Sequence, residues 1–266
     1  MRVMQRLRLL PLAALFAAPL PAQTPAETPE EQGLAIAAEA DRRDIGWQDS
    51  KAAMKMVLRN RQGEVSERAI RVNSLEVKGD GDKSLIIFDQ PADVKGTAFL
   101  SYTHATEPDD QWLYLPALKR IKRIASANKS GPFMGSEFAY EDISSQEVEK
   151  YSYKYLRDEE VDGLPAFVIE RTPQYRHSGY TKQIAWLDKE HYRVLKVDYF
   201  DRKGAHIKTL TMTDYRQYLD RFWRANRMDM INHQNGKSTT LEWDNYQFRN
   251  GYTDRDFDRN TLKRAR

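Results

Sequence analysis

From Trp47 to Phe248 apolar and polar residues alternate with period two, and glycine-bearing turns punctuate the alternation. Met54, Met56 and Leu58 alternate with Lys55, Val57 and Arg59, and Arg61-Gln62-Gly63 makes the turn before Ala69 to Val77 returns. Gly79-Asp80-Gly81-Asp82 is a hairpin signal, and Leu85 to Phe88 and Thr97 to Tyr102 read as short strands. Beyond residue 150, strand-like stretches flank Asp162-Gly163, Asp188 to His191, Asp201 to Gly204 and Asn235-Gly236. Successive strands joined by tight turns predict an antiparallel meander, here of about ten or eleven strands. A meander that long leaves exposed edges unless it curves, closes or is covered. The expected fold class is therefore mainly β: a curved antiparallel sheet forming an incomplete, half-open barrel, covered by a few short helices. No linker composition breaks the run, so residues 47–266 read as one domain.

Ahead of it, Thr28-Pro29-Glu30-Glu31 opens a helix, with Thr28 as cap, Pro29 in the first turn and Glu31 completing a capping box. The helix is expected to reach about Arg42, with Leu34, Ala37, Ala38 and Asp41 along one face. Residues 23–46 are thus a flexible start plus this helix. Residues 1–22 read as a secretory leader: Arg2, Arg6 and Arg8 precede an apolar run from Leu9 to Ala18, and Ala22 suits the cleavage site. The apolar run is shorter than the ~20 residues that span a bilayer.

Charge and cysteine content narrow the function. The chain has 42 Lys and Arg against 39 Asp and Glu, and loss of the leader with its three Arg leaves 39 of each. A formally neutral chain gives no support to general nucleic-acid binding. No cysteine is present, so stability must come from the core rather than from disulfides, and the chain offers no lipobox anchor. A soluble periplasmic monomer is expected.

No catalytic constellation is found. The five histidines, His104, His177, His191, His206 and His233, are dispersed, and neither G-x-S-x-G nor a P-loop occurs. No metal and no cofactor is expected, and the chain reads as a binding protein. Ser136 with Glu137 is expected to open a short helix through Tyr140, and Glu141-Asp142 to form its solvated face.

The stretch Gln111 to Ile143 carries the strongest binding signal. Trp112 and Tyr114 lie on one side of a strand, with Leu113 and Leu115 on the other, until Pro116 interrupts it. Beyond Leu118, Lys119, Arg120, Lys122 and Arg123 form a basic run, either a charged strand edge or a cavity rim that meets an anionic headgroup or a partner. Phe133 and Met134 stand between Gly131-Pro132 and Gly135, followed by Phe138 and Tyr140. Apolar residues on a glycine-flanked loop suit a flap over a lipid. The expected ligand-binding residues are Trp112, Tyr114, Leu118, Phe133, Met134, Phe138 and Tyr140.

QWLYLP (Gln111 to Pro116), KRIKRI (Lys119 to Ile124) and FMGSEFAYEDI (Phe133 to Ile143) resemble the outer-membrane lipoprotein-sorting family of LolA-like periplasmic proteins. Within it, they resemble the branch found beside RND-type (MMPL-like) exporters. The resemblance spans about Ala40 to Leu262. It implies a half-barrel closed on one side by helices, an apolar cavity for acyl chains, and transfer of a lipid or acylated lipoprotein across the periplasm toward the outer membrane. It also implies transient membrane contact and no covalent chemistry. An accessory subunit docked on an RND-type transporter is the alternative.

Overall fold

The computed structural model describes residues 27–264, so the leader expected over residues 1–22 lies outside the described residues. Helix α1 spans Pro29–Asp44 and starts as its sequence dictates. The Thr28 hydroxyl accepts from the Glu31 amide at 3.2 Å, and the Glu31 carboxylate accepts from the Thr28 amide at 2.8 Å. Its buried stripe is Gly33, Ile36 and Ala37, whereas Leu34 is 48% exposed and Ala38 and Asp41 are also exposed. The cause is a close approach: a Cβ on Gly33 would stand 2.6 Å from the Tyr155 backbone nitrogen. Contact at the glycine turns the helix away from the face its larger side chains suggest.

Thirteen strands follow in one antiparallel sheet, more than the ten or eleven expected. They are β1 (Asp49–Arg59), β2 (Val65–Leu75), β3 (Lys83–Gln90), β4 (Ala98–Tyr102), β5 (Asp110–Leu115), β6 (Arg120–Arg123), β7 (Tyr151–Val161), β8 (Leu164–Pro173), β9 (Lys182–Asp188), β10 (Val194–Phe200), β11 (His206–Tyr218), β12 (Phe222–Asn232) and β13 (Ser238–Phe248). The four-residue β6 shows the least alternation, because three of its four residues are cations. The spatial order is β6-β5-β4-β3-β2-β1-β13-β12-β11-β10-β9-β8-β7, so the first and last strands in the chain pair while β6 and β7 are edges. Tight turns fix the register; Asp162 and Gly163, both at positive φ (50° and 81°), make the two-residue β7–β8 turn.

The two faces are covered differently. The inner face carries the main core, with Met54, Ile70, Phe88, Phe99, Leu210 and Met230 among its buried side chains. It receives α1 at one side and the segment between β6 and β7 at the other. Part of the outer face is sealed by the chain end. The Asp49 carboxylate accepts from the amides of Asn250 (2.6 Å) and Gly251 (3.1 Å), which turns the chain back after β13. Phe257 and Leu262 then sit fully buried against Leu85, Ile87, Leu100 and Trp112.

Candidate functional site

The segment 124–150 folds into the sheet. Phe133 is fully buried, with its ring 6.1 Å from Phe88, 5.2 Å from Phe99 and 5.4 Å from Tyr140. Phe133 to Gly135 form a single 3-10 turn with Met134 and Gly135 at positive φ. The Phe133 amide donates to the Phe138 carbonyl at 2.7 Å, and the Ser136 hydroxyl donates to the Phe133 carbonyl at 2.7 Å. Ser136 therefore ends a turn; the helix expected from Ser136 through Tyr140 does not form, because the chain doubles back to bridge Pro132 with Ala139.

Polar ties hold this plug. Arg68 donates to the Met134 carbonyl at 2.6 Å, and Lys208 donates to the Glu137 carbonyl at 2.9 Å. Asp109 pairs with Lys129 and with Lys150, one at each end of the segment, all three side chains being largely buried. Glu141 and Asp142, expected on a solvated face, are interior. The Glu141 carboxylate accepts from Tyr175, Ser178 and the Gly179 amide, each at 2.8 Å. Burial, and then the neighbouring Asp142, raise its pKa above the usual carboxylate value. Asp142 accepts from Tyr180 at 2.8 Å and from the Ala139 amide at 2.7 Å. An Asp or Glu is buried only with partners, and those partners come from the β8–β9 connection, some forty residues downstream.

Between the plug, α1 and the inner face lies a cavity of about 800 Å³. Its apolar walls include Tyr153, Ile169, Ala185, Leu187, Val194 and Met212 from β7 to β11, facing Ala37 and Ala40 of α1. A second space of about 330 Å³ shares Asp44, Trp47, Asp82, Ser145 and Arg224 with it and runs on toward β1, β2 and β13. This falls within the size of small-molecule sites, ~300–1,000 Å³. Charged groups also line it. Arg193 pairs with Asp188 at 2.7 Å and lies over the Trp223 ring at 4.6 Å. Arg224 pairs with Asp44 at 2.5 Å, yet burial still raises the Asp44 carboxyl. Asp82 is pushed up to about 7 by burial and by the carboxylates of Glu147, Glu76 and Asp44, against one opposing hydrogen bond from the Val77 amide. None of the ligand-binding residues expected from sequence is among those lining the cavity.

A crystal structure described as a candidate outer membrane lipoprotein-sorting protein domain from Vibrio parahaemolyticus is 60% identical to this chain. The match covers 88% of this chain and 99% of that one, with a TM-score of 0.87. This chain belongs to that LolA-like lipoprotein-sorting family. A DUF1329 family protein from Desulfovibrio piger is 32% identical over 88% of this chain and 99% of its own, with a TM-score of 0.83. A LolA superfamily protein from Nitrosomonas europaea shares the fold at 20% identity and a TM-score of 0.70, over 86% of this chain and 98% of that one. A family model described as an uncharacterized protein matches residues 80–264. No curated protein matches.

In this LolA-like chain the expected site residues divide. Phe133 and Phe138 are buried in the inner-face core, with Met134 and Tyr140 partly buried beside them. They form a plug packed into the inner-face core rather than a surface flap, and none of the four is among the residues lining the cavity. Trp112 and Tyr114 lie on the outer face, in the cluster under Phe257 and Leu262, with the Trp112 ring 5.0 Å from Tyr102. They do not line the cavity. Period two puts Trp112 and Tyr114 opposite Leu113, but both faces of β5 are covered, so alternation alone did not say which is inner. Leu118 is 63% exposed on the turn after Pro116. Lys119, Arg120, Lys122 and Arg123 are exposed on and beside edge strand β6. Arg123 faces outward and pairs with Asp110 at 2.5 Å, while Arg120 and Lys122 stand opposite Leu115 and Leu113 on the inner side.

Proposed function

We propose that the protein is a periplasmic carrier that takes acyl chains of a lipid or lipoprotein into the cavity between α1 and the inner face and moves them toward the outer membrane. The observation that carries this reading is the aliphatic and aromatic wall that Tyr153, Ile169, Ala185, Leu187, Val194 and Met212 give the ~800 Å³ cavity, in a chain 60% identical to a candidate lipoprotein-sorting domain. Burying methylenes is worth about 0.8 kcal/mol each, so ten supply roughly 8 kcal/mol before ordering costs, without covalent chemistry or a cofactor. The plug residues Phe133, Met134, Phe138 and Tyr140 would brace the core beside the cavity rather than touch the chain. The leader read in residues 1–22 would export the protein, and among the described residues no helix is long and apolar enough to cross a membrane.

Native mass spectrometry of the mature protein from its own periplasm, followed by organic extraction, tests this. Bound phospholipid, other lipid or acylated peptide is expected. An empty protein that also fails to take up fluorescent fatty acids overturns the carrier reading.

Docking of the chain as an accessory subunit on an RND-type exporter is a second reading, favoured by exposed Lys119, Arg120 and Lys122, which make no ion pair among the described residues on an unpaired strand edge. Charge reversal at these three positions should abolish exporter pull-down while lipid content stays unchanged; unaltered pull-down removes it.

A further inference from the structure

Five arginines line the cavity, and four are occupied. Arg43 binds Glu39, Arg193 binds Asp188, Arg224 binds Asp44, and Arg221 donates to the Arg42 carbonyl. Arg171, on β8, has no ion pair and no side-chain hydrogen bond among the described residues. Its guanidinium lies over the Tyr151 ring at 5.6 Å, and its Nε is shut off from solvent without a hydrogen-bond partner. Directly across the β8–β9 ladder stands Gln183, 1% exposed, whose Oε1 is also shut off and unpartnered. The Arg171 donor and the Gln183 acceptor make no hydrogen bond to each other, and a buried polar group left unpaired costs roughly 1–3 kcal/mol, so a further polar group bridging them would be stabilised here.

The surroundings say what kind of group. Register places Tyr153, Arg171, Gln183 and Tyr199 in one row across β7 to β10 on the inner face. The next row, Ile169, Ala185, Val197 and Leu210, is apolar and buried. A planar guanidinium at the end of an apolar trough recognises a carboxylate or phosphate through paired N–H donors. Glu141 and Asp142, behind Tyr151 and Tyr180, are held by their own donors. Asp41, Glu147 and Glu149 face the same cavity from α1 and the segment before β7, and none comes within ion-pair distance of Arg171. Burial raises the pKa of both Asp41 and Glu147 above the usual carboxyl value.

We infer that Arg171, with Gln183 beside it, is the anchoring site for the anionic terminus of an acyl ligand whose chain lies over the apolar row. This rests on the carrier reading and adds the ligand's chemical class: a single-chain lipid with a free carboxylate or a phosphate. Gln183 Oε1 takes a hydroxyl or N–H donated by the same headgroup or by a water it carries.

The test measures binding of hexadecanoate, 1-hexadecanoyl-glycerol 3-phosphate and uncharged hexadecanol to the mature protein at neutral pH, in wild type, Arg171→Met and Arg171→Lys. One charge-assisted contact predicts that wild type prefers an anion over the alcohol by about 10- to 100-fold. Arg171→Met should lose that preference while still binding hexadecanol, and Arg171→Lys should keep part of it. Whichever anion binds more tightly identifies the terminus as carboxylate or phosphate. Equal binding of alcohol and anions by wild type, or an undiminished preference in Arg171→Met, overturns the inference and leaves the carrier reading standing. The wild-type comparison decides even if Arg171→Met fails to fold. Failure of all three ligands to bind also overturns the inference, while the carrier reading stands or falls on the extracted lipid.

Discussion

Replacing Phe133 by alanine separates a plug from a flap. The ring is fully buried and meets Phe88, Phe99 and Tyr140 at centroid distances of 6.1, 5.2 and 5.4 Å. Deleting a buried phenyl costs the lost transfer energy plus the cavity left behind, about 3–5 kcal/mol. The lost edge-to-face contacts with Phe99 and Tyr140 favour the upper half of that range. In a domain of this size 1 kcal/mol moves Tm by about 2–4 °C, so the variant should melt roughly 6–20 °C below wild type. Calorimetry of the lipid-free protein reads this directly. The cavity walls Ile169, Leu187 and Met212 come from other elements, so fatty-acid affinity in the folded variant should change less than about threefold. A Tm within about 2 °C of wild type, accompanied by loss of bound lipid, would refute the plug and restore the flap.

Three further substitutions test separate links. Gly33→Ala should lower stability by about 1–3 kcal/mol, although alanine is the better helix former, because its Cβ would stand 2.6 Å from backbone; a raised Tm on thermal melting would show that α1 is not seated there. Asp82→Asn should raise stability at alkaline pH. Because the folded pKa of about 7 lies above the usual 3.8, the native state holds the extra proton, and stability falls as pH rises between those values. The shift corresponds to roughly 4 kcal/mol at full weight, reduced by solvent at this partly exposed group to about 2 kcal/mol; urea titrations showing the same pH slope in both proteins would contradict it. Asp109→Asn leaves Lys129 and Lys150 buried without their counter-charge and should cost about 3–5 kcal/mol. Hydrogen exchange should then accelerate in residues 126–149, and protection equal to wild type there would mean that the clamp does not hold the plug.

Much of this protein is local chemistry. Thr28, Pro29 and Glu31 determine where α1 begins, because a capping box is satisfied by neighbours in sequence. Asp162-Gly163 and Gly79 to Asp82, with the alternation around them, determine an antiparallel meander, since register follows turn type and side-chain period. Phe257 and Leu262 stand out in the otherwise polar stretch from Asp254 to the chain end, and both are fully buried. What only the tertiary structure decided is which side each pattern faces. Trp112 and Leu113 are both buried, one under the chain end and one under the plug, and period two is blind to that difference. Glu141 and Asp142 looked like solvent-facing charges until Tyr175, Ser178 and Tyr180 supplied their hydrogen bonds from afar. Leu34 lost its place in the helix interface to Gly33 because only glycine permits contact with the β7 backbone. Arg171 and Gln183 each look like an ordinary polar residue on a strand; only the register that sets them side by side, with Arg171 Nε and Gln183 Oε1 shut from water and without hydrogen bonds, marks them as the proposed anchoring site. Burial and partnership are properties of distant contacts, and a period of two carries no record of them.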